Sequence, residues 1–470
     1  MKKYLILLAI VVLAIAVGVY YFLFARGSVC KNVVPEDAKA VMIFDSKELL
    51  KQLDFSFSDV MRLWKQHNNE DSNVGISFTT PMYGFISSDN YVCGVFALSD
   101  AEAFEKTIVG QEYTVESQRG FKWVSVKDVL LCFDSDKALV LGPVSRGETD
   151  RVRGQMMEWM KQGAHDVPML NTIEDMKGIL RLRISYGAIP DNIQSKYKAL
   201  FWNVDLDKIF LNMAFNIKEK AIALSMKTDS EDEGYDKFVS KWNAFLCPID
   251  GGDLKMPYEE PLALAAFNLD GEDMMKSQST DPTFGMALEG LKTYFNVGKM
   301  LQAIDGNVAI AINDESTFYA GIEVDDDEFM KGAQGLESGM SALGIQCKKT
   351  GSESYTIESG DASVYLGVRD DILYLTSDYD AAKAGSKYSS FKDGSSLKSQ
   401  ADDKLFYLSI DLNKLAKSSF ATSSFDAVET KLVLKYFDRL NASATDDNCL
   451  EIELTTKQKI SDILKSEEEK

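Results

Sequence analysis

Val41-Met42-Ile43-Phe44-Asp45-Ser46, with Leu49 and Leu50 behind it, reads as a short apolar strand, an acidic break and the start of a helix. Phe267-Asn268-Leu269-Asp270 repeats the strand and its break at an offset of 225 residues. Three further pairs keep the same order and nearly the same spacing. Gly94 matches Gly321 (offset 227), Ile184 after Leu180-Arg181-Leu182-Arg183 matches Ile410 after Phe406-Tyr407-Leu408-Ser409 (226), and Ala223-Leu224-Ser225-Met226 matches Glu451-Ile452-Glu453-Leu454 (228). Four elements in one order predict two copies of a unit of about 220 residues. Pro248, Pro257 and Pro261, with Gly251-Gly252, mark a linker between the copies.

Within a copy, Phe121 to Val126, Val129 to Phe133 and Ala138 to Leu141 are separated by Lys127-Asp128 and by Asp134-Ser135-Asp136-Lys137, which is turn chemistry. Tyr355-Thr356-Ile357, Ala362 to Val368 and Ile372 to Thr376 are the second set. Strands this close in sequence pair antiparallel, and an amphipathic helix such as Asp150 to Gln162 covers one face. Phe96-Ala97-Leu98-Ser99-Asp100 leads into another, over Phe104 and Ile108, with Ser99 and Glu102 at capping-box spacing. The fold class expected is α+β: an N-terminal transmembrane helix, then two tandem modules of antiparallel sheet plus helices. The expected domains are a signal-anchor (1–26), a first repeat (27–255), a second repeat (256–460) and a charged C-terminal tail (461–470).

The anchor rests on Tyr4 to Phe24, 21 residues without a charge behind Lys2 and Lys3. As a helix they would span about 30 Å, the thickness of a bilayer core. The stretch is longer than the apolar part of a cleaved signal, and it ends in aromatics suited to the head-group belt. Lys2 and Lys3, against Arg26 and Lys31 offset by Glu36 and Asp37, predict a cytoplasmic N-terminus and a body in the periplasm or outside. Lipid attachment at Cys30, giving an outer-membrane form, is the other route to the membrane. Ala14 and Gly18 have the small-xxx-small spacing of helix pairs, a spacing common by chance.

At 470 residues, 45% hydrophobic and 11% aromatic, the chain has material for more than one core. A net charge of -21 repels phosphate backbones, so nucleic acid is excluded as a partner. Six cysteines, Cys30, Cys93, Cys132, Cys247, Cys347 and Cys449, contain no C-x-x-C, which removes zinc ribbons and thioredoxin-type chemistry. Cys93 and Cys132 lie in strand-like runs that could be neighbours, or each is a small buried hydrophobe.

Several strings imitate sites. Ser28-Val29-Cys30-Lys31, Ser88-Asp89-Asn90 and Lys349-Thr350-Gly351 follow the order of the penicillin-recognising acyl enzymes. Ser28 stands too close to the apolar run to start a buried helix, and Asn90 and Lys349 fall in different copies. Ser389-Ser390-Phe391-Lys392 and Ser395-Ser396-Leu397-Lys398 show how cheap S-x-x-K is. Asp229-Ser230-Glu231-Asp232-Glu233-Gly234 resembles half a calcium loop, but position twelve is Ser240. Asp325-Asp326-Asp327-Glu328 is read as helix capping. His67, at the end of a helix beginning near Phe57, and His165, following the next long helix, suit the C-terminal dipole; Asn441-Ala442-Ser443 is a glycosylation triplet, frequent by chance. No catalytic, cofactor-binding or metal residue is assigned, and no cofactor is expected.

Val34-Pro35-Glu36-Asp37-Ala38-Lys39-Ala40-Val41, then Phe44-Asp45 and a Leu-rich helix, resembles a family of uncharacterised, membrane-anchored envelope proteins of Bacteroidetes-type bacteria, classed as a domain of unknown function. The resemblance implies localisation and fold class and carries no catalytic residues. The expected function is a non-enzymatic binding or scaffolding ectodomain with an envelope protein or glycan as partner. The alternatives are a carrier or sensor of an apolar ligand or lipid on the sheet face, which Met (18) and Phe (26) allow, and an unrecognised hydrolase.

Overall fold

The computed structural model describes residues 30–55, 74–77, 79–189, 204–252, 254–278, 297–331, 335–342, 345–360, 362–384, 396–419, 427–445 and 449–468. They form two compact units. One runs to Asp232 and takes in Gln458 onward; the other is Glu233–Lys457.

The first unit strings ten strands, β1 (Ala40–Phe44), β2 (Met82–Ile86), β3 (Val92–Ala97), β4 (Glu116–Gln118), β5 (Phe121–Val126), β6 (Val129–Phe133), β7 (Lys137–Gly142), β8 (Leu180–Ser185), β9 (Ile209–Lys218) and β10 (Ala221–Ser230). Their antiparallel ladders run β4-β5-β6-β7-β3-β2-β1-β8-β9-β10. Helices α1 (Ser46–Gln52), α2 (Ala101–Gly110), α3 (Thr149–Lys161) and α4 (Pro168–Glu174) join the strands.

The second unit opens with α5 (Glu233–Asn243) and a short β11 (Leu246–Cys247). Then come β12 (Ala263–Asp270), α6 (Gly271–Gln278), β13 (Ile304–Ile312), β14 (Phe318–Val324), β15 (Gln346–Lys349), β16 (Ser354–Ser359), β17 (Ala362–Arg369), β18 (Ile372–Thr376), α7 (Tyr379–Ala384), α8 (Ser396–Ala401), β19 (Phe406–Asp411), β20 (Phe437–Ala444) and β21 (Cys449–Thr456). The ladders run β15-β16-β17-β18-β14-β13-β12-β19-β20-β21. Strand for strand, this is the order of the first unit.

The ladders refine the sequence offsets. With Ile184 and Ile410 equivalent, Val41 faces Arg183 as Leu264 faces Ser409. Following the pairs outward, Gly84 opposite Gly94 corresponds to Ile310 opposite Ala320. Gly94 therefore matches Ala320 and not Gly321. One residue of slip in a strand moves a side chain to the other face, so the distinction matters. Leu224 opposite Phe215 likewise corresponds to Leu450 opposite Ala444, which moves the last matched pair by two residues.

The acidic breaks are helix caps. Asp45 Oδ1 accepts the Glu48 N–H at 3.0 Å, and Asp270 Oδ1 accepts the Asp273 N–H at 2.8 Å. Before α2 the cap is Asp100 and not Ser99, because Asp100 Oδ1 receives the N–H groups of both Glu102 and Ala103 at 3.0 Å. Asp45→Ala should cost about 1 kcal/mol of stability, read as a lowered urea midpoint at unchanged m-value.

In the first unit the main core gathers Val41, Phe85, Trp123, Cys132, Leu139 and, from α3, Met156. Phe85 meets Trp159 edge-on at 5.3 Å, and on the other side of the sheet Phe104 of α2 meets Phe133 at 5.2 Å. The second unit packs Leu264, Ala311, Tyr319 and Tyr407 against Leu397 and Ala401 of α8, with a smaller cluster around Phe329 and Tyr355.

One expectation is corrected. The N-terminal transmembrane helix is not part of the described fold: no helix among the described residues is long and apolar enough to cross a membrane. The 13-residue α3, about 20 Å long, falls short of the roughly 30 Å required. Residues 1–29, where the anchor was expected, lie outside the described residues. The C-terminal stretch is a helix, Ile460–Glu468, with Ile460 and Ile463 buried and Lys459 paired to Glu219 at 2.6 Å. Cys93 and Cys132 are separated by β7, which pairs with both their strands. Two strand spacings are about 9.6 Å, beyond disulfide reach, and both cysteines are free thiols.

Candidate functional site

Leu180-Arg181-Leu182-Arg183-Ile184-Ser185 alternates, and the structure buries the polar set: Arg181, Arg183 and Ser185 are each less than a tenth exposed, while Leu180, Leu182 and Ile184 are half-buried. Helix α4 explains the inversion. Its last turn leaves carbonyls without helical partners, and Arg181 Nη1 donates to Glu174 O at 2.9 Å, Met176 O at 3.3 Å and Ile173 O at 3.4 Å. Arg183 Nη1 donates to Asn212 Oδ1 and Asp229 Oδ2, both at 2.7 Å, and its guanidinium lies 4.3 Å from the Phe210 ring centre. Asn212 Nδ2 closes the triangle on Asp229 at 2.7 Å.

The second unit builds a related polar cluster at the same ladder positions. Asn441, opposite Ser409 as Asn212 is opposite Arg183, accepts the Ser409 hydroxyl at 2.8 Å. Tyr407 Oη donates to Gln400 at 2.6 Å, and Arg439 pairs with Asp411 at 3.5 Å.

The opposite face of these strands carries two apolar rows in each unit. Across β1, β8, β9 and β10 one row reads Met42, Leu182, Met213, Met226, and a second reads Phe44, Leu180, Phe215, Leu224. Across β12, β19, β20 and β21 the rows are Ala263, Ile410, Leu440, Leu454 and Ala265, Leu408, Ala442, Ile452. Apart from the buried Phe215 these residues are half-buried. In the second unit the face continues to Ile310 and Ile312, each 43% exposed, and Leu375, 37% exposed. Four strands are about 14 Å across. Antiparallel sheets with one solvated face place polar side chains on it; these rows carry none. That makes the second face of each unit the candidate site.

The imitation sites come apart. Ser88-Asp89-Asn90 is the β2–β3 turn of the first unit, with Asn90 at φ 66° and bonded to Lys39 Nζ. Lys349-Thr350-Gly351 turns from β15 to β16 in the second. Ser28, His67 and Ser389-Ser390-Phe391-Lys392 lie outside the described residues. Asp229 is held by Arg183, and among the described residues no group of three or more acidic, His or Cys side chains is placed to hold a metal. Asp326 Oδ1 caps the helix at Glu328, accepting its N–H at 2.8 Å. His165 reaches Val34 O through Nε2 at 2.9 Å and Gly163 O through Nδ1 at 3.0 Å, tying the start of the described chain to the end of α3. Asn441 is 8% exposed and engaged, so the glycosylation triplet is interior. Burial raises the Cys93 thiol and pushes Cys132 up to about 12, which keeps both protonated and inert.

A family model described as "Domain of unknown function (DUF4836)" matches residues 56–464, most of both units. The chain belongs to the DUF4836 family. The Val34–Val41 opening precedes the matched span. No curated protein matches. Three solved structures of TP0453 are similar at low level: crystal form IV at 12% identity over 42% of this chain and 79% of that one, form III at 13% over 46% and 87%, and form I at 12% over 46% and 86%, each with a TM-score of 0.27. DUF4836 membership thus leaves function to be argued from the faces themselves.

Proposed function

We infer that this DUF4836 protein is a non-enzymatic binding protein of the bacterial envelope, and that it holds an apolar ligand, such as an acyl chain, on the second sheet face of its modules. The observation that carries this reading is the row Met42, Leu182, Met213, Met226 with its counterpart Ala265, Leu408, Ala442, Ile452. Rows with no hydrogen-bonding side chain offer a glycan little to recognise, whereas hydrocarbon needs only contact area. Methionine adds adaptability in the first module. Support for export is the uncharged run 4–24 behind Lys2 and Lys3.

Native mass spectrometry of the protein purified without detergent from its own cells tests the reading. The expected result is extra mass that extraction into organic solvent identifies as apolar molecules. A chain that is bare, and that chemical crosslinking instead joins to a protein neighbour, would replace the ligand carrier with a scaffold.

A further inference from the structure

The two faces share a ladder and differ in one kind of atom. In the first module the central row holds three thioethers: Met213 and Met226 stand directly opposite one another on β9 and β10, and Met42 lies two strands away beyond Leu182. All three are half-buried. Met82, Met156 and Met160 of the same unit are at most 3% exposed and belong to its packed core. In the second module the row is Ala265, Leu408, Ala442 and Ile452, without sulfur. Gly84, next across the ladder from Met42, supplies the space in which the Met42 methyl sits: a Cβ there would stand 2.9 Å from Met42 Cε.

We propose that the first module's second face is an oxidant-responsive site, in which peroxide converts Met42, Met213 and Met226 to sulfoxides and so weakens apolar binding to that module alone. The balance is simple. The sulfur lone pair attacks one peroxide oxygen, the O–O bond breaks, one oxygen atom is bonded to sulfur, and the other leaves as water after proton transfer; each sulfur is oxidised by two electrons and each peroxide reduced by two. A sulfoxide carries a strong acceptor dipole where the row had none, and neither this row nor the row Phe44, Leu180, Phe215, Leu224 holds a donor side chain to meet it. The second module serves as an internal control because its row has nothing to oxidise. The loss of binding rests on the apolar-ligand reading; the site of modification does not.

The test treats the full folded chain with hydrogen peroxide, maps sulfoxides by peptide mass spectrometry, and measures photolabelling by a diazirine-bearing fatty acid on peptides of both faces. Expected are sulfoxides at Met42, Met213 and Met226 before Met82, Met156 and Met160. Labelling on β8 to β10 should fall about fivefold or more, while labelling on β19 to β21 is unchanged. A variant with Met42→Leu, Met213→Leu and Met226→Leu should keep its label after peroxide. Core methionines oxidised as fast as the three, or labelling that falls equally on both faces, would overturn the proposal. Absence of label on both faces before peroxide would overturn the apolar-ligand reading instead, with the sulfoxide map still deciding the site.

Discussion

Arg183→Ala is expected to destabilise the first unit by about 2–4 kcal/mol. The guanidinium is nearly buried, and its removal leaves Asn212 and Asp229 facing each other without the charge that both accept from. A fully buried pair broken in this way costs more; here the Asp229 side chain is 38% exposed and water recovers part of the loss. Hydrogen exchange should speed up most in β8, β9 and β10. Lys51→Ala, which removes the exposed pair with Glu48 at 3.1 Å, should change stability by less than about 0.5 kcal/mol and serves as the comparison.

Gly75→Ala is expected to cost more than about 3 kcal/mol, because two penalties act together. Gly75 has φ 72°, and a Cβ there would stand 2.1 Å from Asp100 O and 2.4 Å from Phe104 N, both backbone atoms of the α2 entrance. The Gly75 carbonyl also accepts the N–H groups of Ser99 at 3.0 Å and Asp100 at 3.1 Å, so displacing this segment loosens the start of α2. Thermal unfolding followed by near-ultraviolet circular dichroism should show a large drop in midpoint. Gly110→Ala, where a Cβ meets nothing within 4 Å, should be close to neutral.

Much of the fold was legible where local chemistry decides it. The three hairpin runs between Phe121 and Leu141 became β5, β6 and β7 because their turns are made of residues that favour turns. The duplication was visible because Asp45 and Asp270 cap helices after equivalent strands. The register was not, since offsets between weakly similar residues cannot distinguish Ala320 from Gly321, and only the ladder through Ile310 does. The candidate site was hidden for a related reason. Alternation in Leu180-Arg181-Leu182-Arg183-Ile184 shows that two faces differ without showing which one the fold covers. That choice is made by α4, whose open carbonyls draw Arg181 inward and leave the leucines outside. In the second unit, Leu450, Ile452 and Leu454 alternate with Glu451 and Glu453, and the same ambiguity holds.

The central claim is that the leucines of these strands, and not the core side chains behind them, form the surface open to hydrocarbon. Methyl-resolved NMR of the full chain titrated with a doxyl-labelled fatty acid reads this directly. The account predicts paramagnetic broadening at Leu180, Leu182, Leu224, Leu408 and Leu440, with Val41, Leu139 and Leu264 left sharp. Broadening confined to the core methyls, or spread evenly over both sets, would contradict it.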